Sequence, residues 1–439
     1  MLHVTDVDLP ARHFNGYDLL GDLAPKGIHG KQVVLKKLSD NPNVVALFAD
    51  RLDEVLQDRL REVERRHSIN DLLIPWGRLL AETPEFKDAD VVHYHLIHNQ
   101  VISLYDMKWL FDMKPSVWTL HDPWPVTGHC VHPMQCEGWL EGCEPCPFLD
   151  RIFPLVHDRA DQLWRVKRRV FSDLDLDVVV ASEWMLDVVK RSPLTAHFEH
   201  VHLIPFGIDS GLFLADDDKR RSRRLLGIRE DDFVILLRAH PWEVKGLSYA
   251  IDALAARPPA RPTTLLVVDH RGLLKSLKRD YRIVDLGWVD DQALYPHLFS
   301  ACDVFLMPSL AEAFGLMAVE AMAAGRPVVC FEGTALPAVS HAPECGVAVP
   351  NGDATALRAA LDRLAADPPE GARRGRLGRQ IAANEYGHER YLDSLAELYR
   401  SVLVRRGGAP LPRGEAGPGP IVSGRAKGHP ASDMPQSRE

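Results

Sequence analysis

The chain has 439 residues, too many for one ordinary domain and enough for two of roughly 200 residues each. Its 46% hydrophobic content allows two sizeable cores, and its formal charge of −9 argues against nucleic acid as a partner, though a local cation cluster could still hold a small phosphorylated ligand. No run of about 18 apolar residues is present, MLHVTDVDLP lacks a signal-peptide pattern, and seven cysteines in so long a chain do not make a disulfide scaffold, so a cytoplasmic protein is expected.

In chain order, short apolar runs predict strands at 2–7, 32–36, 44–48, 91–95, 117–120, 178–181 and 202–204, with a helix over 99–111. The second half repeats the plan, with strands at 233–238, 264–269, 283–286, 303–307 and 327–331. Helices are expected to begin near Lys245, Leu273, Asp291 and Gly315. Alternating strands and helices imply parallel sheets covered by helices. The fold class is therefore α/β, two Rossmann-like doubly wound lobes with an interdomain cleft, spanning 1–207 and 208–385. The join falls near 205–215, where IPFGIDSGLFLA breaks the periodicity. A last helix within 386–406 is expected to pack back toward the first lobe. The Gly-, Pro-, Arg- and Ser-rich segment 407–439 is expected to be disordered.

The segment 303–325 reads DVFLMPSLAEAFGLMAVEAMAAG: a strand, a loop carrying Glu312, then a helix that is apolar nearly all round. Glu320 is that helix's only charge, and an unpaired buried carboxylate costs several kcal/mol. Two ribose hydroxyls would satisfy it, as in dinucleotide folds; a buried salt bridge is the alternative. The backbone N–H groups of Phe314, Gly315 and Leu316 open the helix and could cradle phosphate.

The string EAFGLMAVEAMAAGRPVV, with MPS before it, resembles the E-x7-E motif of retaining GT-B glycosyltransferases of family GT4, over about residues 200–365. The resemblance implies a nucleotide-diphosphate-sugar donor, no catalytic metal, and retention by front-face attack. It places Glu312 on the donor sugar, Glu320 on the ribose, and Lys245 with Arg238 on the diphosphate. In many members four residues separate that Arg and Lys; here six intervene. Two surface cations are the alternative reading. The resemblance also gives His121, in VWTLHD, a contact with the donor sugar, and Gly16 a place in a phosphate-approaching loop. Asp122, His98 and Asn99 are acceptor-side candidates. Two other readings remain: a nucleotide-sugar epimerase, and a non-catalytic sugar-nucleotide-binding subunit. The acceptor would be a saccharide end, a lipid-linked saccharide or a small metabolite.

Cys130, Cys136, Cys143 and Cys146 form C-x5-C-x6-C-x2-C within loop 128–147, a candidate structural zinc site; two disulfides or four free thiols are the alternatives. Two basic runs, KRRSRR at 219–224 and RVKRR at 165–169, read as solvated faces, with membrane or phosphate contact as the second reading for the first and peripheral membrane contact for the second.

Overall fold

The computed structural model describes residues 1–9, 12–48, 51–151, 153–213 and 219–407, with the side chains of 51–54 outside that description. The tail expectation for 408–439 and part of the join at 214–218 therefore lie outside the described residues.

The first sheet contains β1 (Leu2–Val7), β2 (Lys31–Lys36), β3 (Val44–Ala46), β4 (Val92–Tyr94), β5 (Ser116–Leu120), β6 (Asp177–Val180) and β7 (Val201–Leu203). The second contains β8 (Phe233–Ala239), β9 (Thr263–Asp269), β10 (Arg282–Gly287), β11 (Val304–Met307), β12 (Val328–Phe331) and β13 (Val347–Val349). The orders are β3-β2-β1-β4-β5-β6-β7 and β10-β9-β8-β11-β12-β13, and every named pair is parallel. Both are doubly wound. Their winding reverses between β1 and β4 and between β8 and β11, where such sheets open a crevice at the strands' carboxyl ends.

The expected strands all occur, with ends displaced by at most two residues. β13 was not anticipated, since Val347–Val349 offers only three residues of pattern. The helix expected near Leu273 does not form; that loop holds only a three-residue turn at Lys275–Leu277. The first-lobe helix starts at Leu104 rather than 99, because the Ser103 hydroxyl accepts from Tyr105 N–H and caps it.

The basic runs are corrected in part. Arg223 is buried, donating to the carbonyls of Ala301 and Asp232 and to Asp303 Oδ2 at 2.8 Å, and Lys219 sits 2.6 Å from Asp303. Lys167 is buried over the Trp124 ring, 3.5 Å from its centroid, and donates to the carbonyls of Trp124 and Thr127. These cations hold the structure together and are not free to meet a membrane. No helix among the described residues is long and apolar enough to cross one.

The final helix, His388–Arg405, packs on the first lobe: Tyr399 OH meets His93 Nδ1 at 2.7 Å and Lys26 bridges to Glu389 and Asp393. A continuous apolar cluster runs from Val117 and Val179 through Phe206 and Phe314 to Tyr391 and Leu395. Between the lobes, the Ser182 hydroxyl donates to the Ala313 carbonyl at 2.6 Å.

Candidate active site

The crevice of the second sheet holds the segments that follow β8 and β11. Lys245 comes from the first and Glu312 from the second; Lys245 Nζ lies 3.0 Å from Glu312 Oε2, both half-buried. Gly246 makes this approach possible. Its φ is +64°, and a Cβ there would lie 1.8 Å from the Pro308 carbonyl oxygen. Arg238 does not join this pair: its Nε donates to Asp269 Oδ2 at 2.6 Å.

Helix Leu316–Ala323 begins at Gly315, which caps it in the left-handed conformation at φ +93°. The Phe314 ring is buried edge-on against Phe206, 5.2 Å between centroids, so only its backbone is available to a ligand. Glu320 is buried; the Tyr295 hydroxyl donates to its Oε2 at 2.7 Å, and burial pushes its carboxyl up to about 7. Among the described residues Glu320 forms no salt bridge, the alternative weighed for it. The charge that reaches Glu320 is His13 of the first lobe, itself raised by its hydrogen bond to Asp18. Tyr295 and His13 carry no motif signal.

In the first lobe, His121 meets His95, its Nε2 lying 3.2 Å from His95 Nδ1. His95 Nε2 in turn lies 3.1 Å from His3 Nδ1. The outer nitrogens of this chain, His121 Nδ1 and His3 Nε2, are buried and have no partner among the described residues. Burial pushes His3 down to about 3 and His121 down to about 4, and His95 well below its usual range, so at neutral pH each ring carries one proton. Each contact needs one N–H and one bare nitrogen. The three rings must then share a tautomer, all Nδ1–H or all Nε2–H, and His121 faces outward as donor or acceptor accordingly. The structure puts Gly16 (φ +88°) against this chain: a Cβ would fall 2.4 Å from His3 Nδ1. Spacing alone could not reveal this contact.

His98 Nε2 and Asp122 Oδ2 pair at 3.2 Å, with His98 stacked on Trp124; Asn99 Nδ2 donates to Asp6. His132 was not singled out from the sequence, yet it sits in the fields of Asp122 and His98 from one lobe and of Glu312 and Lys245 from the other.

The four cysteine thiols lie in one another's fields within the loop. Among the described residues, sets of three ligand atoms within 4.8 Å of one another occur at His3–His93–His95 and at His240–Asp269–His270, and the cysteines are not one of them. Their sulfurs serve the loop instead: Cys143 accepts from Gly128 N–H at 3.2 Å, Cys136 from Gly138 N–H at 3.4 Å, and Cys146 lies 3.3 Å from His129 Nε2. The two histidine sets are also engaged internally. His93 is held by Tyr399 and Thr119, and Asp269 by Arg238 and His270.

The profile described as "Glycosyl transferases group 1" matches residues 230–367. An MMP alpha-(1->4)-mannosyltransferase of Mycolicibacterium hassiacum is 30% identical over 367 residues, 79% of this chain and 82% of the relative. The chain belongs to the group 1 glycosyl transferases. Other curated relatives of the family are matched over less of their own length, from 22% to 66%. The sucrose-phosphate synthase of Thermosynechococcus elongatus has the same fold, with a TM-score of 0.65 at 20% identity, covering 92% of this chain and 99% of that one. Anabaena HepE, in a complex with UDP-glucose, has a TM-score of 0.60 at 18% identity over 91% and 99%. The fold of this family member is thus GT-B.

Proposed function

We propose that this chain transfers a glycosyl group from a nucleotide diphosphate sugar to an acceptor hydroxyl, with retention at the anomeric carbon. The observation that carries the reading is Glu320, a buried carboxyl whose partner is a hydroxyl, beside a crevice that holds a cation–carboxylate pair. A ribose offers it further hydroxyls of the same kind. HepE, which shares the fold, was captured with UDP-glucose.

In this reading Lys245 neutralises charge on the departing diphosphate, and Arg238 joins it by exchanging Asp269 for phosphate. Glu312 accepts from donor-sugar hydroxyls, and His121 Nδ1 meets the same sugar from the first lobe. The backbone N–H groups of Phe314, Gly315 and Leu316 face the phosphates. The bond from the anomeric carbon to the β-phosphate oxygen breaks while the acceptor oxygen bonds to that carbon on the same face. The acceptor's proton passes to the leaving phosphate oxygen, so no separate protein base is required. Excluding water from the cleft protects the donor from hydrolysis. A site on the cytoplasmic side, drawing on soluble nucleotide sugars, suits this chemistry.

The test is turnover of a panel of nucleotide sugars with mixed acceptors, followed by NMR of the product's anomeric configuration. Lys245→Ala and Glu312→Gln should each lower turnover roughly 10²–10³-fold. Epimerised donor with no glycoside formed would favour an epimerase. Tight donor binding with no turnover in any combination would favour a non-catalytic subunit.

A further inference from the structure

A cavity of about 420 Å³ lies between the cysteine-rich loop of the first lobe and the turn after β8 in the second, within the ~300–1,000 Å³ range of small-molecule pockets. Its walls include Phe148 and Arg151 on one side and Trp242 and Glu243 on the other. Trp242 is 58% exposed, with His240 edge-on to it at 4.7 Å, and its indole offers the cavity an apolar face on which a sugar ring can stack. The Arg151 guanidinium lies over the Phe148 ring at 3.7 Å, which fixes both groups.

Two buried nitrogens in this wall have no partner among the described residues: Arg151 Nη1 and His132 Nδ1. A buried polar atom left unsatisfied is destabilising, so their persistence points to a ligand that satisfies them. The charge of the wall narrows the ligand. Arg151 is offset by Glu243 at 3.4 Å and by Asp150, so the cavity offers no surplus cation to an anionic group. Burial lowers His132, leaving a neutral imidazole whose free nitrogen suits a hydroxyl, which both donates and accepts. Val244 in the cavity wall directly precedes Lys245, so the cavity adjoins the Lys245–Glu312 pair.

We infer that this cavity is the acceptor subsite and that the acceptor presents a neutral, hydroxyl-rich saccharide there, stacked on Trp242 and hydrogen-bonded to Arg151 Nη1 and His132 Nδ1. Roughly one or two hexose rings fill it. The inference rests on the proposed transfer reaction and names its acceptor class, which the family does not fix.

Saturation-transfer NMR on the full chain tests it without turnover. The probes are methyl α-glycosides and disaccharides of glucose, mannose and galactose, with glucose 6-phosphate and mannose 6-phosphate as anionic counterparts and UDP as donor-site probe. At least one neutral saccharide should bind saturably. Trp242→Ala and His132→Phe should weaken it at least about tenfold, Trp242→Phe should keep it, and the Kd for UDP should move less than about threefold. Binding of only the phosphorylated sugars, or neutral-sugar binding untouched by Trp242→Ala, overturns the assignment. Failure of UDP to bind, with saccharide binding still sensitive to Trp242, would count against the donor reading and leave the saccharide subsite standing.

Discussion

Substituting His95 by phenylalanine keeps a flat ring in place and removes both contacts of the histidine chain at once. The two contacts, at 3.1 and 3.2 Å, disappear, and His3 Nδ1 and His121 Nε2 become buried orphans. At about 1 kcal/mol per net hydrogen bond, and more where a polar atom is left stranded, the loss should come to about 2–4 kcal/mol. Urea denaturation at pH 8 measures it. The more direct assay is 15N imidazole NMR on histidine-labelled protein. In the wild type, His3, His95 and His121 should show one common tautomer that does not change between pH 7 and 8. In His95→Phe the remaining two rings become free to differ. A wild-type spectrum with one Nδ1–H ring and one Nε2–H ring among the three would refute the chain. So would a stability loss below about 0.5 kcal/mol.

Gly16→Ala should disturb the same chain from outside, since its Cβ would push His3 aside at an already left-handed backbone; a loss of about 1–3 kcal/mol and shifted His3 resonances are expected. The depressed histidines bind fewer protons folded than unfolded, so stability should fall as pH drops below about 6.5, by about 1.4 kcal/mol per unit for each buried ring, and less steeply in His95→Phe. Glu320 behaves in the opposite way. Its raised carboxyl binds a proton more tightly folded, so its contribution is present below about 4.5 and is lost as pH climbs to about 7. Ligand-free Glu320→Gln should therefore gain about 3 kcal/mol on the wild type between pH 4.5 and 8, read from denaturation curves. Arg223→Ala leaves Asp303 with Lys219 and the Val234 N–H but removes the donor to the Ala301 and Asp232 carbonyls, and should cost about 1–3 kcal/mol by thermal or urea unfolding.

Strand runs and the isolated charge of Glu320 are local signals, and the sequence displays them directly. A buried strand needs only its own four to seven apolar residues, and a lone carboxylate in an apolar helix is conspicuous. The histidine chain is a product of register. β1 aligns His3 with His93, two residues before His95, and Gly16 closes over His3 from a separate turn. Nothing in the spacing of residues 3, 16, 95 and 121 encodes that meeting. His132 carries no pattern of its own: it stands between Cys130 and Cys136, in a loop whose regular spacing belongs to the cysteines, and its cleft position comes from the fold. Arg223 lies in a run of cations, which is usually a surface feature, and its partner Asp303 is 80 residues further along the chain.

The last helix bears on the order in which this molecule can be made. The first lobe leaves the ribosome early, yet His93 at its centre finds its hydroxyl partner in Tyr399, and Lys26 finds its carboxylates in Glu389 and Asp393. These arrive only after the whole second lobe has been synthesised. The seven strands of the first sheet, drawn from residues 2–203, are together before the second lobe is made, but the helix that completes their packing is not. The amino-terminal half thus waits, incompletely closed, for the far end of its own polypeptide.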